Sequence, residues 1–275
     1  MKRFKAFLIE QYEEGGRTSP ITEAEAVSYV KKNSPVYLEN VLKNNDAGIF
    51  RGVAGKKDPF LFGDSSAHVR QSANTLNYYT LLMDHILPSW KFYPNRSKSF
   101  ICSTSIKTAK NYGKAYTLFP PYGTIVGVAD DNDLWNSFQE TYVDPDRFND
   151  FLEEFAKLTT GDILSESDPK ILKKSITNIE NKLKKESEGY INRLISQMEK
   201  YHNYFFTSYL KYIKEGKNID LITYIDNKFD PKKNGFSTVS SEKIPSLNIR
   251  DKEVWFSGEA VFIYGLDTNL EDIFK

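Results

Sequence analysis

The sequence predicts an α+β fold, and three observations carry that expectation. Short β-like runs stand towards both ends of the chain, a long block with helical periodicity fills the space between them, and turn residues separate the runs. Hydrophobic residues make up 40% and aromatics 14% of the 275 residues, enough to bury a sizeable core and to exclude wholesale disorder. That length suits two domains, or one domain carrying an insertion.

Residues 11–20, with Gly15-Gly16 and Ser19-Pro20, read as a polar linker. Thr22 and Glu25 have capping-box spacing, which opens a helix running to about Lys32. Pro35 suits the first turn of a second helix, reaching about Lys43. Residues 47–51 read as a short buried strand stopped by Gly52, and 52–66 as a Gly/Lys/Asp-rich loop. An aromatic helix is expected from about Asn74 to Leu87. Residues 99–103 are β-like, and Ser105 is placed to cap a short helix ending near Gly113. Strands at 115–119 and 123–129 flank Pro120-Pro121-Tyr122.

From Asp144 to about Glu215 the pattern changes. Phe148, Phe151, Leu152 and Phe155 have helical spacing, as do Ile171, Ile176, Ile179 and Leu183, then Tyr190, Leu194 and Met198. Strands return at 253–257 and 260–264, with Gly258 as a bend. The expected organisation is therefore a peptide and linker (1–20), a first part (21–143), a helical insertion (144–234) and a last part (235–275).

Composition narrows the function. Lys+Arg and Asp+Glu both number 37, so the chain as a whole is not a coat for nucleic acid or anionic membrane. The single cysteine, Cys102, excludes an intrachain disulfide and a Cys-based zinc site; three scattered histidines argue against a metal centre. No apolar run approaches membrane-spanning length, and the apolar run before Glu10 is only four residues long (6–9), too short for a signal-peptide core. A protein working in a cytosol is expected.

Three sites then stand out: Arg51 at a strand end, Ser103-Thr104-Ser105 at a strand-to-helix turn, and Asp251-Lys252-Glu253 entering a strand. Strand residues two apart face the same side, which would aim Asp251 and Glu253 into one cleft. An arginine clamps phosphate oxygens, a carboxylate holds a ribose hydroxyl, and a carboxylate also steadies positive charge growing at a ribose C1′. Each residue also has a plain structural reading: a surface ion pair for Arg51, an N-cap for the Ser-Thr-Ser run, and a solvated pair for the two acids.

As an ordered set, these motifs resemble the R-S-E class of mono-ADP-ribosyltransferases, which includes small enzymes of T4-like phages. Ile49-Phe50-Arg51-Gly52 is similar to the family's first-strand arginine motif. Phe100-Ile101-Cys102-Ser103-Thr104-Ser105, followed by Thr108-Ala109-Lys110 and Tyr112, is similar to its Ser-Thr-Ser strand and the helix after it. Arg250-Asp251-Lys252-Glu253-Val254-Trp255-Phe256, followed by Val261-Phe262-Ile263, resembles its carboxylate motif and trailing strand pair. The resemblance covers roughly 45–130 and 236–265. Asp251 is shorter than the family's usual Glu or Gln, and the 150 positions from Ser103 to Glu253 exceed what the family needs, the helical block making up most of the excess.

The resemblance implies ADP-ribosyltransferase-like split sheets around an NAD cleft, with NAD⁺ as substrate and no metal. It makes Glu253, Asp251 and Ser103 catalytic, with Glu253 on the nicotinamide ribose and Asp251 facing the acceptor. Arg51, Gly52, Ser103, Thr104, Ser105 and Tyr112 would bind NAD⁺, with Arg51 on the diphosphate; the residues themselves read Tyr112 and Tyr116 first as core aromatics. Glu259 is an alternative catalytic glutamate in another register.

The acceptor would be a macromolecule such as a host protein, with 237–250 as its recognition loop. Residues 85–129 contain no Asp or Glu yet carry Lys91, Arg96, Lys98, Lys107, Lys110 and Lys114 among aromatics. That is either a strand-rich stretch with solvated lysines or a positive wall for NAD phosphates or a nucleic-acid acceptor. A non-enzymatic phage structural or interaction protein is the rival class, and NAD⁺ hydrolysis without transfer a further one. Residues 1–10 resemble the capsid-targeting peptides of T4-like phage internal proteins, which implies packaging in a virion and injection into the host.

Overall fold

A computed structural model describes residues 18–44, 47–56, 58–67, 69–71, 76–138, 151–217, 219–264 and 270–275. Its strands are β1 (Thr18–Pro20), β2 (Ile49–Val53), β3 (Phe60–Asp64), β4 (Ser99–Ser103), β5 (Lys114–Phe119), β6 (Ile125–Val128), β7 (Ser237–Ser240), β8 (Glu253–Ser257) and β9 (Glu259–Tyr264). Its α-helices are α1 (Glu23–Asn33), α2 (Pro35–Lys43), α3 (Tyr78–Leu81), α4 (Ile106–Lys110), α5 (Phe151–Thr159), α6 (Pro169–Leu183), α7 (Glu188–Lys200), α8 (Tyr204–Lys214), α9 (Leu221–Lys228) and α10 (Leu270–Phe274). The α+β class holds, and among the described residues no helix is long and apolar enough to cross a membrane. The chain divides into two compact units: Met1–Asn74, Tyr93–Leu134 and Phe236–Lys275 form one, Thr75–Phe92 and Trp135–Gly235 the other.

The first unit is built on one antiparallel sheet of nine strands, in the order β1-β3-β9-β5-β2-β4-β8-β6-β7. The family resemblance implies split sheets; the strands form one hydrogen-bonded sheet, narrowed at its middle to a single residue pair, Phe50↔Ser103. On either side of that waist the pairing is broad, with five pairs each for β2–β5 and β4–β8. Beyond the waist, Phe100 of β4 packs edge-to-face on Phe262 of β9, ring centroids 5.1 Å apart, and also meets its cross-strand partner Phe256. These rings join Val254, Tyr116, Leu118 and Ile263 in one buried cluster. Strand β9 is buried from Ala260 to Ile263, which explains why it reads as an apolar run with no alternation.

Several sequence expectations change here. Residues 18–20 are not linker but β1, which pairs with β3, itself hidden in the expected 52–66 loop because its apolar run is only Phe60-Leu61-Phe62 before Gly63 and Asp64. Gly52 does not stop β2; it lies inside the strand, at a point where β2 runs close to α4. The expected recognition loop is shortened: Ser237–Ser240 forms β7, a polar edge strand, and Ser241–Ser246 a 3₁₀ turn with Ile244 and Pro245 buried. The helices at 23–33 and 35–43 form as expected, the first with a complete Thr22–Glu25 capping box. Residues 1–10, most of the linker and Phe148 lie outside the described residues.

The second unit is helical. Asp168, Ser187, Asn203 and Asp220 each cap the helix that follows with a side-chain oxygen, so α6 to α9 start where local chemistry dictates. The buried stripe of α6 is Leu172, Ile176, Ile179 and Leu183; Ile171, expected in it, is 54% exposed, because spacings of four, three and four hold one face better. Residues 75–92, which the sequence pattern assigns to the N-terminal part, belong to this unit. Tyr79 lies 5.6 Å from Phe151, and the Trp90 indole donates to the Phe229 carbonyl (2.9 Å). The expected aromatic helix is split: α3 passes into a π-helical turn over Leu82–Ile86.

Candidate active site

Strand register brings the three candidate motifs together in the first unit. Phe50, the neighbour of Arg51, pairs with Ser103, and Ser103 pairs with Glu253. Arg51, Ser103 and Glu253 therefore lie on three adjacent strands, although 202 positions separate the first from the last (253 − 51). The waist of the sheet is where these three strands meet.

Arg51 is buried and donates to the Ile101 carbonyl. Its cation lies beside the Cys102 thiol and pulls that pKa down, but burial dominates and pushes the thiol up to about 12. Cys102 is consequently an inert core thiol near neutral pH. Gly52 is packed against the α4 end: a Cβ there would overlap the Ala109 carbonyl oxygen and come within 2.9 Å of Tyr112. Tyr112 is 48% exposed at this turn, whereas Tyr116 is buried, its hydroxyl donating to the Asp58 carbonyl (2.8 Å).

The Ser-Thr-Ser run divides its work. Ser103 Oγ accepts from the Ser105 amide (3.0 Å), and Ser105 Oγ caps α4 by accepting from the Thr108 amide (3.3 Å). Thr104 is tied to the chain leading into β8: its amide donates to the Lys252 carbonyl and its hydroxyl accepts from the Lys252 amide, both 3.0 Å. The structural reading of Ser105 as an N-cap is correct, and it coexists with placing Ser103 beside Glu253.

Glu253 opens β8, and the loop 129–134 wraps it. The Ala129 amide donates to its carbonyl and its own amide donates to the Asp131 carbonyl, both at 2.9 Å. Its Oε1 forms an ion pair with Arg96 at 2.5 Å, and its Oε2 accepts from the Leu134 amide at 3.4 Å. Asp251 does not share this arrangement. It lies before the strand with φ +52°, so strand alternation does not govern it. Its carboxylate accepts from the Thr108 hydroxyl (2.6 Å) and the Asn132 amide (3.3 Å). These bonds, Thr108 first, hold its pKa below the usual carboxylate range. Asp251 is ionised near neutrality and acts as an acceptor of hydrogen bonds.

Glu259 sits elsewhere. It pairs with Asp64 on β3 and accepts from the Tyr29 hydroxyl at 3.0 Å. Burial, and then the bond to Glu259, raise the Tyr29 pKa.

Sequence reasoning missed Arg96 and Asn132 as site residues. Arg96 appears in the sequence only as one cation in an acid-free stretch; its burial and its carboxylate partner are tertiary facts. Lys98, Lys107, Lys110 and Lys114 of the same stretch are exposed. Among the described residues no group of three or more His, Cys, Asp or Glu side chains can hold a metal ion. Comparison with protein-family models, with curated protein sequences and with solved structures finds no match for the chain.

Proposed function

We propose that this chain is a mono-ADP-ribosyltransferase that moves ADP-ribose from NAD⁺ to a macromolecular acceptor, with a host protein as the acceptor class. One observation carries the reading: the pairing Phe50↔Ser103↔Glu253 brings the strands that carry Arg51, Ser103 and Glu253 together at the waist of the sheet, with Ser103 directly opposite Glu253 and Arg51 next to Phe50 in sequence. A guanidinium and a carboxylate on strands that meet at the waist are also the groups that a diphosphate and a ribose call for.

In this reading Arg51 holds the diphosphate and Glu253 accepts a hydrogen bond from the 2′-hydroxyl of the nicotinamide ribose. Glu253 then stabilises the positive charge that grows on C1′ as the bond from C1′ to the nicotinamide nitrogen breaks. The bonding electron pair leaves with nicotinamide, whose ring becomes neutral. The acceptor's nucleophile forms the new bond to C1′ and releases its proton to solvent. Asp251, an ionised hydrogen-bond acceptor beside Thr108 and Asn132, orients that nucleophile. Ser103 supports the Glu253 backbone from the neighbouring strand.

The test is incubation with labelled NAD⁺ and a bacterial lysate, followed by protease or nuclease treatment. Protease-sensitive macromolecular label is expected. Nuclease-sensitive label would move the acceptor to RNA or DNA, and free ADP-ribose as the sole product would make the chain a hydrolase.

Two further outcomes are expected in the same assay. Arg51→Ala should weaken NAD⁺ binding by about 10-fold or more, the loss expected for a charge-assisted clamp of 1.5–3 kcal/mol. Titration calorimetry checks this, and unchanged affinity removes Arg51 from the diphosphate. Glu259→Ala should leave transfer intact, since Glu259 bonds to Tyr29 on a different part of the sheet.

A further inference from the structure

We propose that Arg96 is a positioning residue for Glu253, clamping one carboxylate oxygen so that the other faces the ribose. The inference rests on the transferase reading above and deepens it, since nothing in the ordered motif set includes Arg96.

The geometry is specific. The Arg96 and Glu253 side chains are 6% and 12% exposed, whereas surface pairs such as Lys43–Glu39 and Lys275–Asp272 are more than 60% exposed at both partners. Surface pairs of that kind contribute little and are screened by solvent. A buried pair is different: desolvation costs about as much as the attraction returns, so two apolar side chains could fill the space equally well. What the charged pair adds is orientation.

The rest of the arrangement serves that orientation. Trp255 and Glu253 are two apart on β8 and face the same side. The Arg96 guanidinium lies 5.9 Å from the Trp255 ring on its way to Glu253. The Trp255 indole donates to the Pro94 carbonyl (2.9 Å), which anchors the backbone two residues before Arg96. Tyr93 stacks on the same indole at 6.4 Å, and Gly127 is close enough beneath it that a Cβ would strike the ring. Arg96 is thus held from several sides before it meets the carboxylate. The Leu134 amide holds Oε2 from the loop side, so rotation of the Glu253 carboxyl is restrained at both oxygens.

The test compares wild type, Arg96→Met, Arg96→Lys and Glu253→Gln in initial-rate transfer from labelled NAD⁺ over a range of NAD⁺ concentrations. A misplaced catalytic group costs on the order of 100-fold, so Arg96→Met should lower kcat by about that factor. KM for NAD⁺ should stay near the wild-type value, because the diphosphate is held elsewhere. Arg96→Lys keeps the charge without the planar fork and should recover part of the loss. Wild-type kcat in Arg96→Met, a loss expressed in KM, or a Lys variant no better than Met would each overturn the proposal.

If circular dichroism shows that Arg96→Met is unfolded, Arg96→Lys decides alone: lower kcat at unchanged KM supports the clamp, and unchanged kcat overturns it. A wild-type protein that transfers nothing refutes the transferase reading and the clamp with it. Transfer that needs Glu253 but not Arg96 refutes only the clamp.

Discussion

Glu253→Gln is expected to cut transfer by roughly 10²–10³-fold, the usual cost of removing one electrostatic stabiliser of a transition state. Glutamine keeps the shape and an acceptor oxygen for Arg96, but it loses the charge that opposes the developing cation at C1′. NAD⁺ affinity, carried by Arg51 in this reading, should change little. The substitution is preferable to Glu253→Ala, which removes the carboxylate from a guanidinium whose side chain is 6% exposed and is expected to cost about 3–5 kcal/mol of stability. Denaturant unfolding of both variants separates the two effects. A Glu253→Gln protein that labels its acceptor at the wild-type rate would remove Glu253 from the chemistry.

Gly52→Ala should destabilise the fold markedly for a single added methyl group. Its new Cβ would overlap the Ala109 carbonyl oxygen and crowd Tyr112, and both neighbours are backbone that cannot swing aside. Overpacking of this kind costs about 1–3 kcal/mol, and the rigid neighbours place this case at the upper end. For a chain of this size that is a fall in melting temperature of several degrees, roughly 2–4 °C per kcal/mol. In the transferase reading NAD⁺ binding should fall as well, because β2 and the end of α4 would be pushed apart. Gly189→Ala is the control: its Cβ meets only Ser187 Oγ at 3.9 Å, in the first turn of α7, and alanine favours a helix by up to about 1 kcal/mol. Thermal melts of the two variants should move in opposite directions, and a wild-type melt for Gly52→Ala would show that β2 and α4 can separate without strain.

Gly52 also shows how a residue can be noticed in the sequence for one reason and matter for another. As a strand breaker it was expected to end β2; in the fold it lets β2 approach α4. Glycine signals both, and only the neighbours tell them apart. Asp251 is similar: two positions from Glu253, it was expected on the same strand face, but its φ of +52° puts it in the turn before β8. Alternation is a rule about extended backbone and lapses one residue outside it.

What local chemistry dictates was legible in the chain alone. The Thr22–Glu25 capping box, Pro at a first helical turn, Ser105 as an N-cap and the apolar runs of β8 and β9 depend on residues within about one turn or strand of each other, so α1, α2, α4 and the last two strands could be drawn from the sequence. The order of Arg51, Ser103 and Glu253 was visible for the same reason. Their adjacency was not, because pairing between strands far apart in sequence is chosen by which apolar faces share a core, here the cluster around Phe100, Phe256 and Phe262. That core brings β4 beside β8, β8 brings Trp255 to Pro94, and Arg96 comes to rest on Glu253. A lone arginine in an acid-free stretch carries no local mark of its partner; only the folded chain supplies the carboxylate.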